Sequence, residues 1–203
     1  STVSEGIAYG MIIAVMMDER ELFDGLWTYA RRWSAKTGLM HWYIDAAGRR
    51  PLETGAATDA DQDMAWALVS AWRAAAAAGR ALAHAEQLTL LARVLELWDK
   101  VPDAAERIGA SHLLVLEQAA SAAHTADETE RGVAFASAAL KEVDATAEPV
   151  RAALLLETRA TLGKHSGRAD PSVDLRAALE LVPPGLDDAA RARVLVSEAK
   201  CAE

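Results

Sequence analysis

The chain has little of what several classes of protein require. Its 203 residues include a single cysteine, Cys201, which excludes an intramolecular disulfide and any metal site built from several cysteines. Basic residues number 21 against 30 acidic ones, and the net charge of −9 argues against a protein that binds nucleic-acid phosphates. The longest apolar stretches, such as residues 11–17, fall far short of the ~20 residues that span a bilayer. We therefore expect neither a nucleic-acid partner nor a membrane span.

No basic segment leads into an apolar one, so the sequence predicts no signal peptide and leaves the compartment unassigned. Apolar residues make up 52% and charged residues 25%, which is typical of a soluble globular protein. The five histidines show no metal-ligand spacing. Neither a metal nor a cofactor is therefore expected.

Aromatic side chains and methionines are scarce after residue 73. All five methionines lie before residue 65, and nine of the eleven aromatic residues lie within residues 1–72. Aromatic side chains line many polysaccharide and small-molecule clefts, although they and methionines also fill cores. The change in composition predicts two segments, residues 1–73 and residues 74–203.

Helical spacing of apolar residues dominates both segments. It predicts helices over residues 7–16, 22–33 and 59–72, with residues 39–53 as a loop that has room for a short extended piece. After residue 73 it predicts consecutive antiparallel helices over residues 82–98, 111–124, 128–143, 148–163, 171–182 and 187–201. Residues 74–78 favour a helix that can join the two segments. The predicted fold class is therefore all-α, built from antiparallel helical hairpins.

An internal repeat supports this prediction for the second segment. Residues 138–143 align with residues 177–182 at an offset of 39. A period near 40 residues with two helices per unit is typical of an α-solenoid.

Carboxylates mark two motifs in the first segment, Ser4–Gly10 and Ala57–Ala65. Both place acidic residues at predicted helix starts, beside glycine or other small residues that let a ligand come close. Taken alone, Glu5 is typical of a residue that complements the helix dipole. By the same reasoning Asp59 and Asp61 form a solvated first turn, and Trp42 anchors a loop.

The order and spacing of four segments, 4–10, 23–27, 39–42 and 55–65, resemble the opening third of glycoside hydrolase family 8. The resemblance covers residues 2 to about 73. It implies an inverting, endoglucanase-type hydrolase on an (α/α) barrel, acting on β-1,4-linked glucan, chitosan or xylan. A β-glucan or a related oligosaccharide is then the expected partner.

The resemblance also implies roles for individual residues. Glu5 matches the general acid, and Asp59 matches the acidic residue that binds the sugar beside the scissile bond, so these two are the expected catalytic residues. Tyr9, Trp42 and Asp61 are the expected substrate-binding residues, with the Trp42 ring stacking on a sugar. Inverting hydrolysis needs a protonated acid on the leaving oxygen and a second carboxylate that activates water. Apolar or acidic neighbours favour such a protonated acid, and Ile7, Tyr9, Asp59 and Asp61 are the expected neighbours.

The second segment departs from that family, whose barrel is longer and takes its base from a later part of the chain. We find no counterpart of that base after residue 73. Residues 86–88, 95–105 and 153–156 instead resemble the tetratricopeptide-like region of large LuxR-type regulators. This resemblance implies an α-solenoid that makes protein contacts. The sequence contains neither a phosphate-binding loop nor a basic recognition helix.

Two family fragments in one chain suggest a chimera, with a barrel fragment packed on a tetratricopeptide-like solenoid. Helices that have lost their barrel partners must cover their apolar faces elsewhere, so we expect a homo-oligomer. Two functions remain open. One is a remnant or weak β-1,4-glucan hydrolase that retains the acid and lacks the base, and the other is a non-catalytic helical-repeat protein with an interaction or structural role. Weak hydrolysis in an unrelated new pocket is a third reading.

Overall fold

The computed structural model describes residues 1–17, 19–35, 40–55, 58–166 and 170–201. The side chains of residues 58–61, 64, 165 and 166 lie outside this description. Within these ranges the chain forms ten helices and one small sheet, which confirms the all-α class. None of the described helices combines the length and apolarity needed to cross a lipid bilayer.

The first part of the chain contains three helices and three short strands. These are β1 (Thr2–Val3), α1 (Ser4–Met16), α2 (Arg20–Arg32), β2 (Tyr43–Ile44), β3 (Pro51–Glu53) and α3 (Thr58–Arg80). The strands form an antiparallel sheet in the order β1-β2-β3, in which Thr2 pairs with Ile44. The region predicted as a loop is thus more regular than expected, because the N-terminal residues supply a strand for it to pair with.

The rest of the chain is helical. It contains α4 (His84–Trp98), α5 (Ala104–Ile108), α6 (His112–Thr125), α7 (Thr129–Glu142), α8 (Pro149–Ser166), α9 (Pro171–Leu181) and α10 (Asp188–Cys201). Except for α5, each agrees with a predicted helix to within a few residues, and residues 74–78 lie inside the continuous helix α3 as expected. The Asp170 carboxylate accepts a hydrogen bond from the Ser172 backbone N–H at 2.9 Å and caps α9. That hydrogen bond lowers the pKa of Asp170.

The chain divides into two compact units. Unit 1 comprises residues 1–74 and 93–110, and unit 2 comprises residues 75–92 and 111–203. The two segments inferred from composition, 1–73 and 74–203, stay a prediction.

The core of unit 1 forms where α1 packs against α2. Met11 and Phe23 are fully buried there. Arg93, from α4, is buried beside them, with its guanidinium carbon 5.1 Å from the centre of the Phe23 ring. Arg93 Nη1 also donates to the Ala14 carbonyl oxygen at 3.5 Å. A buried guanidinium over an aromatic face is a cation–π contact, and nothing in the sequence spacing predicted it.

Trp66 is one of several large apolar residues of unit 1 that are exposed in the chain, in its case at 54%. The buried positions of this part of α3 are Ala65, Ala67 and Leu68, so Trp66 points the other way.

Small residues let the helices of unit 2 approach closely. Buried Gly132 on α7 leaves so little room that a Cβ atom there would lie 2.8 Å from Leu162 Cδ1 of α8. The internal repeat is visible as matching helix ends. Ala139 and Ala178 are both fully buried, and their carbonyls accept hydrogen bonds from the N–H groups of Val143 and Val182. The description of this region as tetratricopeptide-like stays a prediction.

Candidate active site

Glu5 lies in the first turn of α1, directly after strand β1. The Ser4 N–H donates to the Trp42 carbonyl oxygen at 3.0 Å, which ties the start of the helix to the segment before β2. Glu5 is half-buried, and its Oε2 atom is buried with no hydrogen-bond partner among the described residues. The hydroxyl of buried Ser4 also has no hydrogen-bond partner among the described residues. A buried polar atom without a partner is rare enough to require an explanation.

Trp42, in the segment 39–42, is joined through its backbone to the segments 4–10 and 55–65. Its carbonyl accepts from Ser4, and its N–H donates to the Gly55 carbonyl oxygen at 2.9 Å. Its half-buried ring stacks on the Tyr43 ring, with centroids 5.2 Å apart and planes 23° apart. The ring is therefore held in place while part of it remains accessible.

Gly55 leads into the second acidic motif. It adopts φ +135°, a conformation that glycine tolerates and other residues rarely adopt. Its N–H donates to His41 Nδ1 at 3.2 Å, so His41 and Trp42 hold Gly55 between them. The role of His41 was not predicted, since an isolated histidine beside a tryptophan carries no spacing signal.

Asp59 and Asp61 lie in the first turn of α3, which begins three residues after Gly55. The helix start is where the sequence predicted it. Their side chains lie outside the described part of the structure, so their expected roles stay predictions.

The expected neighbours of Glu5 on α1 separate onto two faces. Ile7 is buried in the core of unit 1, whereas Tyr9 is 57% exposed. Tyr9 follows Glu5 by four residues, which places the two on one side of the helix. Tyr9 is therefore available to a ligand near Glu5, and Ile7 is not.

The backbone hydrogen bonds of Trp42 thus bring the first motif, the tryptophan and the lead-in to the second motif together. Such an arrangement can offer a proton donor next to an aromatic surface, which is what protonation of a bound glycoside needs. The described residues contain no group of three or more histidine, cysteine or acidic residues that could hold a metal ion.

Unit 2 contains a separate cavity of about 940 Å³ that none of the predicted site residues lines. Its walls come from residues 117–124 of α6, residues 146–158 around the start of α8, and the side chains of Leu186 and Arg193. Arg151 forms a two-pronged ion pair with Glu117, at 2.6 and 2.8 Å, and a further bond with Glu148 at 2.9 Å. The hydrogen bonds that Arg151 donates to Glu117 are the main cause of the raised pKa of Arg151.

Comparison with known proteins finds a family to which the first part of the chain is similar. Residues 1–89 match the model of Glycosyl hydrolases family 8. Endoglucanase A of Acetivibrio thermocellus is 48% identical over 73 residues, which cover 34% of this chain and 15% of that protein. Endoglucanase 2 of Ruminiclostridium josui is 50% identical over 72 residues, covering 34% and 16% of the two chains.

A reducing-end xylose-releasing exo-oligoxylanase of Paenibacillus barcinonensis is 39% identical over 70 residues, covering 32% of this chain and 18% of that protein. The chain thus spans less than a fifth of the length of each of these relatives. No solved structure gives a significant match. The resemblance of the first segment to family 8 is confirmed, while the LuxR-type resemblance and the chimera stay predictions.

Proposed function

We propose that unit 1 carries a weak glycoside hydrolase site of the endoglucanase type, directed at β-1,4-glucan, with Glu5 as its general acid. The observation that carries this proposal is a pair of backbone hydrogen bonds, in which Trp42 accepts from Ser4 and donates to Gly55. They join Trp42 to residues 38 and 13 positions away in the chain, and all three residues lie within the part of the chain that matches family 8. A merely inherited sequence pattern does not require that the motifs still meet in space.

Each residue has a distinct part in the proposed reaction. Glu5 gives its proton to the glycosidic oxygen as the bond between that oxygen and the anomeric carbon breaks. The Trp42 ring offers an apolar surface for the face of a sugar, and exposed Tyr9 contacts the sugar on the solvent side. Asp59 binds the sugar beside the scissile bond, and Asp61 supports it.

The proposed activity is weak because no residue of this chain matches the second carboxylate of family 8, the base that activates water. An inverting enzyme places its base about 6.5–9.5 Å from the acid so that a water molecule fits between them. The chain after residue 73 carries no motif that matches this base. Loss of base assistance typically reduces the rate by ~10²–10⁴-fold, so we expect slow turnover by water attacking without a base.

The test is release of reducing sugar from cellohexaose and carboxymethyl cellulose by the wild-type chain and by Glu5→Gln. Glu21→Gln is the matched control, because Glu21 also lies in the first turn of a 13-residue helix of unit 1 but is exposed. We expect Glu5→Gln to remove the activity and Glu21→Gln to retain it. Equal activity in all three proteins, or none in the wild type, contradicts the proposal.

The second candidate function is a non-catalytic helical-repeat interaction protein. The observation that favours it is the cavity of unit 2, whose walls come from α6, α8 and α10. In this case the chain binds no cello-oligosaccharide. A calorimetric titration with cellohexaose then gives the same result for the wild type and for Trp42→Ala. Heat that this variant removes instead supports the hydrolase.

A further inference from the structure

Helix α1 presents an apolar stripe to solvent. Gly6, Tyr9, Ile13 and Met16 are all exposed, and they follow each other at intervals of three, four and three residues. Met16 is 77% exposed, and Ile13 is 51% exposed. This spacing is that of the contact seam between two packed helices.

The opposite face of α1 is apolar as well. Ile7, Met11 and Val15 are buried in unit 1, and Glu5 is the only charged residue of the whole helix. A helix that is apolar on every side is normally covered on every side. The exposed stripe therefore calls for a partner that carries no charge along the contact.

A second copy of α1 satisfies this requirement when the two helices run antiparallel. A twofold axis near position 11 then sets Gly6 against Met16 of the partner subunit, and Tyr9 against Ile13 of the partner subunit. The absent side chain of Gly6 leaves room for the long one of Met16. In a parallel pair the two Glu5 carboxylates and the two helix N-termini would lie side by side, which is unfavourable.

The exposed area suits a weak, specific contact. Tyr9, Ile13, Met16 and adjoining Met17 expose between half and three quarters of their surface, or roughly 500 Å² per copy and about 1,000 Å² for two copies. That total lies at the lower limit for specific association. Contacts of this size are typical of weak, transient association, which is measured at micromolar concentrations.

We propose that α1 mediates an antiparallel homodimer in which the stripe Gly6, Tyr9, Ile13 and Met16 packs against itself. The dimer does not depend on hydrolase activity. Tyr9 cannot touch a sugar while it lies in the seam, so saturating cellohexaose should weaken the dimer if the proposed function is also correct. If the proposed function fails, the dimer remains and cellohexaose has no effect on it.

Sedimentation velocity on the whole chain, from low to high micromolar concentration, tests the dimer. The wild type should shift from monomer to dimer, and Ile13→Gln should weaken association at least tenfold. Val196→Gln is the matched control, because Val196 is also β-branched, helical and exposed to a similar extent, at 53%. It should associate like the wild type.

A second variant keeps the test valid if Ile13→Gln disturbs folding. Among the described residues, a Cβ atom at Gly6 would come within 4 Å of Val3 Cγ2 alone, at an ordinary 3.7 Å, so a side chain added there starts without a clash in the monomer. Leucine also favours a helix more than glycine does. We expect Gly6→Leu to keep or raise the melting temperature while weakening the dimer at least tenfold.

A chain that stays monomeric at all concentrations overturns the proposal. So does equal weakening by Ile13→Gln and Val196→Gln, or unchanged association of a folded Gly6→Leu.

Discussion

Glu5 and Glu21 show that two acidic residues at equivalent helix positions can differ in burial. Each sits in the first turn of a 13-residue helix, and each complements the helix dipole. Glu21 is exposed, whereas Glu5 has one carboxylate oxygen buried without a hydrogen-bond partner among the described residues. The resemblance of its motif to family 8 predicted Glu5 as the general acid. It could not predict this burial, which comes with the pairing of the adjacent strand β1 to β2, about 40 residues away in the chain.

Asp45 provides a pH-dependent contribution to stability. Its carboxylate accepts the Arg49 N–H at 2.6 Å and the Arg50 N–H at 3.4 Å across the turn between β2 and β3. The Arg49 hydrogen bond lowers the pKa of Asp45 below its ordinary 3.8. The folded state thus has the lower pKa, so the stabilisation is present above the ordinary value and is lost as the pH falls through the lowered one.

We therefore expect Asp45→Asn to lower the urea midpoint at pH 6 and to show a smaller further fall between pH 6 and pH 3 than the wild type. The exposed Asp99→Asn is the control and should fall as much as the wild type does. A fall for Asp45→Asn as large as that of the wild type would count against this role of Asp45.

At the scale of elements, the spacing of apolar residues was sufficient to predict the long helices. It was insufficient to predict the short strands and the short helix α5. Helix α7 illustrates the first case, because it buries Gly132, Ala136 and Ala139 at helical intervals of four and three residues. Strands β1 and β2 have only two residues each, and they exist because they pair with one another rather than through local propensity. Helix α5 has five residues, too few for a periodic pattern.

Two glycines of unit 2, Gly132 and Gly163, test how closely the helices pack. We expect their replacement by alanine to change the free energy of unfolding in opposite directions. Replacing a helical glycine by alanine stabilises a helix by roughly 0.5–1 kcal/mol. At Gly163 of α8 a Cβ atom comes within 4 Å of none of the described residues, so Gly163→Ala should yield that gain. At Gly132 it would lie 2.8 Å from Leu162 Cδ1 and 3.2 Å from Ala123 Cβ, and Leu162 is itself buried.

Overpacking of this kind costs about 1–3 kcal/mol, so we expect Gly132→Ala to lower the free energy of unfolding by about 1 kcal/mol in net terms. Chemical denaturation of both variants measures the difference. Equal stabilisation by the two substitutions would show that α7 and α8 are not in tight contact at this point.

At the scale of the whole molecule, the sequence predicted a change of character near residue 73 but not how the chain groups. Residues 93–110 belong to unit 1 although they follow the change in composition. Buried Arg93 lies over Phe23, and no local pattern marks such a contact between residues 70 positions apart. The motifs of the candidate site are visible in the sequence and their roles stay predictions, whereas no sequence signal marks the backbone bonds that join them through Trp42 and His41.

We propose that Glu5 supplies a proton to the leaving oxygen of a β-1,4-glucan. The most direct measurement compares the rates of wild type and Glu5→Gln on two substrates, cellohexaose and a 2,4-dinitrophenyl cello-oligosaccharide. The dinitrophenolate departs without needing a proton, whereas a sugar alkoxide does not. We predict that Glu5→Gln loses ~10²-fold or more on cellohexaose and changes little on the dinitrophenyl substrate. An equal loss on both substrates, or a full rate on cellohexaose, would contradict the assignment of Glu5 as the general acid.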